Sequence, residues 1–264
     1  MSAGEGAYGP LDFARDSEVP RETLERLTKY SRLLVERNAH LNLVADSTLQ
    51  DLWRRHFWDS AQLAPLIPPG ARTIVDLGSG AGFPGMVLAI MLGAPGKAPS
   101  TVASQRSPSP AKAGEDRARD AHPPSALAGE VAGAVRRQTE GASLTVHLID
   151  STQKKCRFLE EVAEATGAPV EVHWSRAEDL AGLKADVVTA RAVAPLTKLL
   201  GLAYPFFGAG TTGLFLKGRA AAAELTEASE SWRLHAETIQ SRSDPSGSIL
   251  RVTGLMPWRK RKPS

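Results

Sequence analysis

Four glycines recur in the run Asp76-Leu-Gly78-Ser-Gly80-Ala-Gly82-Phe83-Pro84-Gly85, between a short apolar stretch and a second one of helical character. Residues without a Cβ let a backbone turn sharply and approach a ligand without side-chain collision. The spacing Gly80-x-Gly82-x-x-Gly85 also satisfies the fingerprint of dinucleotide-binding loops, so the loop alone admits two cofactors. Pro84 favours one of them. It removes an amide at the helix N-terminus that a pyrophosphate would want, whereas the sulfonium of S-adenosylmethionine places no phosphate there. Asp76, ahead of the glycines, suits the positively charged amino-acid end of that cofactor, directly or through water.

Further polar residues close the later apolar runs. Asp150 stands where a carboxylate can accept both ribose hydroxyls of an adenosine; the alternative is a cap for the helix from Gln153, a role equally open to Thr152. Ala177 and Glu178 follow the third run, where they could frame the adenine, or Glu178 is a solvated loop charge. Arg191 ends the fourth run, the edge where methyl donor and acceptor would meet, with a salt bridge to the N-terminal helices as its alternative. Asn38, Asn42, His56 and Asp59 read from their own context as helix caps or satisfied core polar groups. Cys156 reads as core. No His/Cys cluster has metal-ligand spacing, so no metal is expected. Arg259-Lys-Arg-Lys262 beside Trp258 suits phosphate contact and stacking, or is a solvated terminus. No catalytic residue is assigned.

The elements that must hold these residues follow from periodicity. Leu24, Leu27, Tyr30 and Leu34 recur at helical spacing from Pro20 to Asn38, and Thr48 with Asp51 resembles a capping box opening a second helix that ends at Pro65. Residues 1–70 thus form an N-terminal helical appendage. From Arg72, strands are expected at Thr73 to Leu77, Leu144 to Ile149, Val170 to Trp174, Ala185 to Ala190 and Gly213 to Leu216. Helices are expected at Pro84 to Leu92, Gln153 to Thr166, Pro195 to Pro205 and Ala220 to Ser231, the alternation of a parallel sheet. A hairpin, His235 to Gln240 and Ser248 to Thr253, closes the chain; an antiparallel hairpin after five parallel strands is unusual for a dinucleotide-binding sheet. The fold class is α/β, a class I methyltransferase-like (Rossmann-like) doubly wound sheet spanning 71–264. Residues 94–141, rich in Ala, Pro, Ser, Gly and Arg, have almost no large apolar side chains and read as a disordered insertion remote from the strands' carboxyl ends.

Composition sets the outer bounds. The 264 residues are 42% hydrophobic, enough for a substantial core, and the single cysteine rules out an intramolecular disulfide and favours a reducing cytoplasm. No signal peptide or bilayer-length apolar run is seen, so no membrane partner is expected. The net charge of +3 permits a polyanionic partner.

Taken in order, Asn38-Ala-His-Leu-Asn42-Leu, Arg55-His56-Phe-Trp-Asp59-Ser60, Asp76 to Gly85, Asp150-Ser-Thr-Gln-Lys154-Lys-Cys-Arg157-Phe-Leu, Ser175-Arg-Ala-Glu178, Ala190-Arg191-Ala192 and Lys217-Gly218 resemble the bacterial 16S ribosomal RNA (guanine-N7) methyltransferase G family. The resemblance spans about Leu24 to Gly218 apart from the insertion. It implies methyl transfer from S-adenosylmethionine to N7 of one guanosine in 16S ribosomal RNA, on the free RNA or the small subunit; a cytoplasmic monomer is expected. Cofactor contacts would fall on Gly78, Phe83, Ala177, Glu178 and Arg191, joining Asp76, Gly80, Gly82 and Asp150. Asn38, Asn42, His56, Asp59 and Lys217 become candidates for shaping the substrate pocket. The alternatives are a methyltransferase acting on another RNA or a small molecule, and a non-catalytic RNA-binding assembly factor that keeps the fold.

Overall fold

The structure, a computed structural model, describes residues 7–93, 144–180 and 182–258, so the expected insertion and the basic tail lie outside the described residues. Seven strands form one sheet: β1 (Thr73–Leu77), β2 (Thr145–Asp150), β3 (Val170–Trp174), β4 (Val187–Arg191), β5 (Thr212–Lys217), β6 (Trp232–Gln240) and β7 (Ser248–Pro257). Their order is β3-β2-β1-β4-β5-β7-β6. The first five run parallel, and β7 pairs antiparallel with both β5 and β6. The expected hairpin therefore joins the sheet through its second arm.

Alternation along the strands divides the core between the two sheet faces. Ile74, Val146, Leu148, Val187, Leu214 and Ile249 join one apolar cluster, while Val75, Leu77, Val188, Ala190, Phe215 and Leu250 join another. On the first face lie the N-terminal helices α1 (Pro10–Ser17) and α2 (Arg21–Leu41), with α4 (Gly85–Leu92) and α5 (Gln153–Thr166). On the second lie α6 (Leu196–Ala203) and α7 (Ala221–Ser229). Every residue of α4 is buried, as expected for a helix that is apolar all round.

The helix α1 is absent from the sequence reading. Pro10 opens it, the Asp12 carboxylate accepts the Gly9 amide at 2.9 Å, and Phe13 buries completely. Within α2, Leu27, Tyr30 and Leu34 are fully buried, as their spacing predicts. Arg26 binds α2 to the core by donating to the carbonyls of Thr166 (2.7 Å), Gly167 (3.1 Å) and Ile90 (3.1 Å), a cation at the carbonyl-rich ends of α4 and α5. Arg37 adds a two-pronged contact to Glu161 at 3.0 and 2.6 Å.

The single helix expected from Thr48 is instead a composite: a 3-10 segment (Asp46–Asp51), a π-helical turn (Trp53–Trp58) and the short α3 (Asp59–Ala61). Thr48 makes no cap; its hydroxyl donates to the Ala45 carbonyl at 2.7 Å and meets His56 Nε2 at 2.8 Å. The side chain that would cap a helix here has a better partner in His56. No helix among the described residues is long and apolar enough to cross a membrane.

Candidate functional site

The strand order reverses at β1 and β4, which are neighbours although β2 and β3 separate them in the chain. Open α/β sheets bind ligands outside the strand ends at such a switch point. The glycine loop leaves β1 there, and Arg191 to Val193 leave β4 beside it, Leu77 being paired with Ala190.

Inside the loop the glycines have different duties. Gly82 and Gly85 face the interior: a Cβ on Gly85 would lie 2.5 Å from Leu148 and 2.7 Å from the Asp76 Cβ, and one on Gly82 would lie 2.6 Å from the Tyr30 hydroxyl. Gly80, at φ +58°, is different, because the nearest atom to a Cβ there is the Gly78 carbonyl oxygen at 3.7 Å. The side of the loop that Gly80 presents is open, and only the lack of a side chain keeps it so. Tyr30 of α2 supports the other side by donating to the Ala81 carbonyl while its ring stacks on Phe83 at 5.4 Å.

Asp150 bridges the loop and the second strand. Its Oδ2 accepts the Gly80 amide at 2.9 Å and its Oδ1 the Thr152 amide at 2.8 Å, so the carboxylate positions the loop and also serves the turn before α5. Each oxygen retains a lone pair for a ribose hydroxyl. Beyond β3, Ala177 is half-buried and Glu178 exposed in a 3-10 turn, both at the strand ends where an adenosyl moiety would lie. These residues fit S-adenosylmethionine: an uncovered glycine cradle, a ribose-competent carboxylate, and no helix-terminal amide at Pro84.

Asp76 lies beneath the loop. It is fully buried, accepts the Thr189 hydroxyl at 2.7 Å, and burial pushes its carboxyl up to about 6. In this arrangement it braces β1 against β4 and reaches a ligand only through the loop it supports. The Phe83 side chain likewise turns inward, 3% exposed among Tyr30, Phe57 and His56.

Arg191 joins this loop to a second feature. Its guanidinium lies 4.8 Å from the Phe83 ring centre and donates to the Arg55 carbonyl at 3.0 Å and to His56 Nδ1 at 2.8 Å; Asp59 Oδ2 is 3.4 Å away. The proton arrangement at His56 follows. Arginine can only donate, so Nδ1 accepts, Nε2 carries the hydrogen and donates to Thr48, and Thr48 donates onward to Ala45. Burial, then the Arg191 and Arg55 charges, push the imidazolium down to about 3, leaving a neutral ring.

On the far side of Arg191 opens a cleft of about 470 Å³, lined by Arg54, Arg55, Asp59, Lys217, Asp244 and Ser248 among others. It lies between the π-helical turn, the ends of β4 and β5, and the β6–β7 connection. Basic and acidic side chains both face it. Asp59 is held by Ser243 (2.6 Å) and Gln62 (3.0 Å), and burial raises its carboxyl above the usual range. Lys217 lines the cleft, but its ammonium is engaged by Glu224 at 2.6 Å and the Ala194 carbonyl at 3.0 Å.

Three of the expected pocket residues do not line the cleft, and one of them, His56, lies behind Arg191 against the Phe83 ring. Asn38 is 1% exposed, donating to Asp46 Oδ1 and accepting the Val44 amide, both at 2.8 Å. Asn42 ends α2 with φ +49°, the left-handed conformation that asparagine tolerates better than most residues. Both shape the turn after α2, and neither lines the cleft. Conversely, Arg54, Asp244 and the π turn that presents the cleft residues were not read as functional from sequence; the Arg54-Arg55 pair was the only available signal.

A family model described as rRNA small subunit methyltransferase G matches residues 23–94 and 138–246, more than half of the chain. The chain belongs to that family. A ribosomal RNA small subunit methyltransferase G from Paramagnetospirillum magneticum is 43% identical over 92% of this chain and 95% of its own length. One from Rhodospirillum centenum is 44% identical over 95% and 93%. Among solved structures, an O-methyltransferase from Bacillus cereus aligns with a TM-score of 0.48 at 13% identity, over 85% of this chain and 90% of that one. The match to the G family contains the glycine loop, Asp150, Glu178, Arg191, Lys217 and the cleft residues Arg54 to Asp244. It passes over 95–137 and stops before β7.

Proposed function

We propose that this chain transfers a methyl group from S-adenosylmethionine to N7 of a guanosine in 16S ribosomal RNA. The observation that carries the reading is the position of Arg191, whose guanidinium rests on Phe83 of the glycine loop and lines the polar cleft, so that the two features adjoin. When bound, the cofactor supplies an electrophilic methyl on a sulfonium. Gly80 presents the open side of its cradle while Gly78 and Gly82 set the turn of the loop, Asp150 takes the ribose hydroxyls, Ala177 and Glu178 border the adenine, and Asp76 holds the cradle from below.

Guanine N7 has an in-plane lone pair and no hydrogen, so its attack needs no general base. The chain's task is to position and to stabilise charge. Arg54 and Arg55 suit the RNA phosphates, and the carboxylates of Asp59 and Asp244 suit a purine that becomes cationic as it is methylated. His56 holds Arg191 in place and has no free lone pair to act as a base. No step requires a metal. The enzyme works as a monomer in the cytoplasm, on free ribosomal RNA or on the small subunit.

The decisive experiment incubates the purified protein with labelled cofactor and undermethylated small subunits, then cleaves the RNA by borohydride and aniline, which break the chain at N7-methylguanosine. A single new cut is expected. Label at another atom, or in a protein, overturns the reading.

A further inference from the structure

We infer that His147, Glu171 and His173 form a zinc site on the β2–β3 edge of the sheet, built from residues outside the glycine loop and the cleft. Two histidines that are 26 positions apart in the chain have no metal-ligand spacing, yet parallel pairing brings them together. His147 is in register with Glu171, and Ile149, two residues on, with His173. Residues two apart on a strand share a face, so all three side chains project from the same side. That side is opposite the one holding Val146 and Leu148 against α4 and α5.

The donor atoms converge. His147 Nδ1 lies 3.0 Å from His173 Nε2 and 3.3 Å from Glu171 Oε2, and the latter two are 3.9 Å apart. A triangle with those sides has a circumradius of about 2.0 Å, so an ion can sit equally far from all three at the 2.0–2.1 Å that zinc takes to imidazole and carboxylate. Its centre then lies slightly off the donor plane, as at the base of a tetrahedron, with the fourth position left for water. Two imidazoles and a carboxylate are a donor set suited to zinc rather than to calcium or magnesium.

The environment agrees with the geometry. His147 is buried and His173 half-buried, and a neutral imidazole can carry its hydrogen on the ring nitrogen that faces away, so both facing nitrogens can offer lone pairs to an ion. Glu171, with its side chain 32% exposed, leaves the site open to an entering ion. The strands supply a rigid frame, so little must move on binding. The ion would clamp edge strand β3, which leads into Ala177 and Glu178, onto β2. Its role is structural.

The test uses the full purified chain, stripped with a chelator and titrated with zinc chloride against a chromophoric indicator, then with cobalt for its visible spectrum. Expected are one zinc per chain with submicromolar affinity, a tetrahedral cobalt band, and a melting temperature raised by about 5 °C at saturating zinc. Glu171→Gln should weaken zinc at least tenfold, and the double variant His147→Gln/His173→Gln should lose the cobalt band, both still binding S-adenosylhomocysteine. If the double variant fails to fold, Glu171→Gln decides. No zinc tighter than about 10 μM in wild type, or equal uptake by Glu171→Gln, overturns the site and leaves the pair as a hydrogen bond between histidines.

Discussion

The guanidinium of Arg191 donates to Nδ1 of His56 at 2.8 Å, which fixes the imidazole as a neutral acceptor between a cation and the Thr48 hydroxyl. A histidine held this way cannot take a proton from a substrate. His56→Ala should therefore lower single-turnover methylation about tenfold, through a loosened Arg191, with a shallow rate profile from about pH 6 to 9 in both proteins. A general base would instead be worth about 10²- to 10⁴-fold. A steep ionisation in wild type that vanishes in the variant would make His56 a base and move the target atom away from N7.

Burial of the same ring, with the Arg191 charge beside it, predicts a stability effect. The folded His56 titrates near 3 against an ordinary 6.5, so between those values the unfolded chain binds more protons and stability rises with pH. The contribution is complete above about 6.5 and is lost as pH falls toward 3. Asp76 works in the opposite sense: its folded value near 6 lies above the ordinary 3.8, so it lowers stability as pH rises through that window. Comparing urea unfolding of wild type and His56→Gln at pH 4 and 7 isolates the histidine. The wild type should gain relative to the variant by up to a few kcal/mol. Parallel curves would mean that His56 is not desolvated in the fold.

Gly80 and Gly85 should part under the same substitution. Gly80→Ala adds a methyl to open space, at a backbone cost of about 1–2 kcal/mol for the left-handed conformation. It should leave circular dichroism unchanged and weaken S-adenosylhomocysteine at least tenfold by calorimetry. Gly85→Ala drives its methyl into Leu148 and Asp76 and should fail on stability first. Undiminished cofactor affinity in Gly80→Ala would place the cofactor elsewhere.

Lys217 and Arg55 should also differ. With its charge held against Glu224, Lys217→Met should cost about 2 kcal/mol of stability, because it leaves that carboxylate without its cation and with the Leu196 amide as its remaining partner. It should leave the salt dependence of RNA binding unaltered. Arg55→Ala should reduce the slope of log K against log salt by about 1 with little effect on folding. Filter binding across a salt series reads both.

Residues 97–138 contain few large apolar side chains and fall almost wholly within the stretch that the family match passes over. Replacing them with a short linker should preserve S-adenosylhomocysteine affinity and methylation. Loss of cofactor binding in a folded deletion would connect that segment to the site.

Much of this architecture was legible because the signals were local. Strands β1 and β3 and helix α5 fall where the sequence places them, since each is a clean periodic run with its own punctuation. The glycine loop was legible for the same reason. What escaped depended on partners distant in the chain. Thr48 looks like a helix cap until His56 is found within reach, and Asn38 and Asn42 look like pocket residues until the turn they build is seen. The π-helical turn has no propensity signature of its own, and α1 is too short for a periodicity to stand out. His147 and His173 meet only through strand register, which no spacing rule encodes.

The seating of β7 between β5 and β6 imposes an order of assembly. Strand β6 is made first, yet β5 offers it no edge, since the place beside β5 belongs to a strand that follows it in the chain. Until β7 arrives, β5 is an unfinished border and β6 a ribbon without a sheet. A chain cut anywhere between Gln240 and Ser248 would therefore lose two strands, not one, together with the connection that walls the cleft. For a chain emerging from a ribosome, the cofactor cradle can form early, whereas the acceptor side must wait for the last strand.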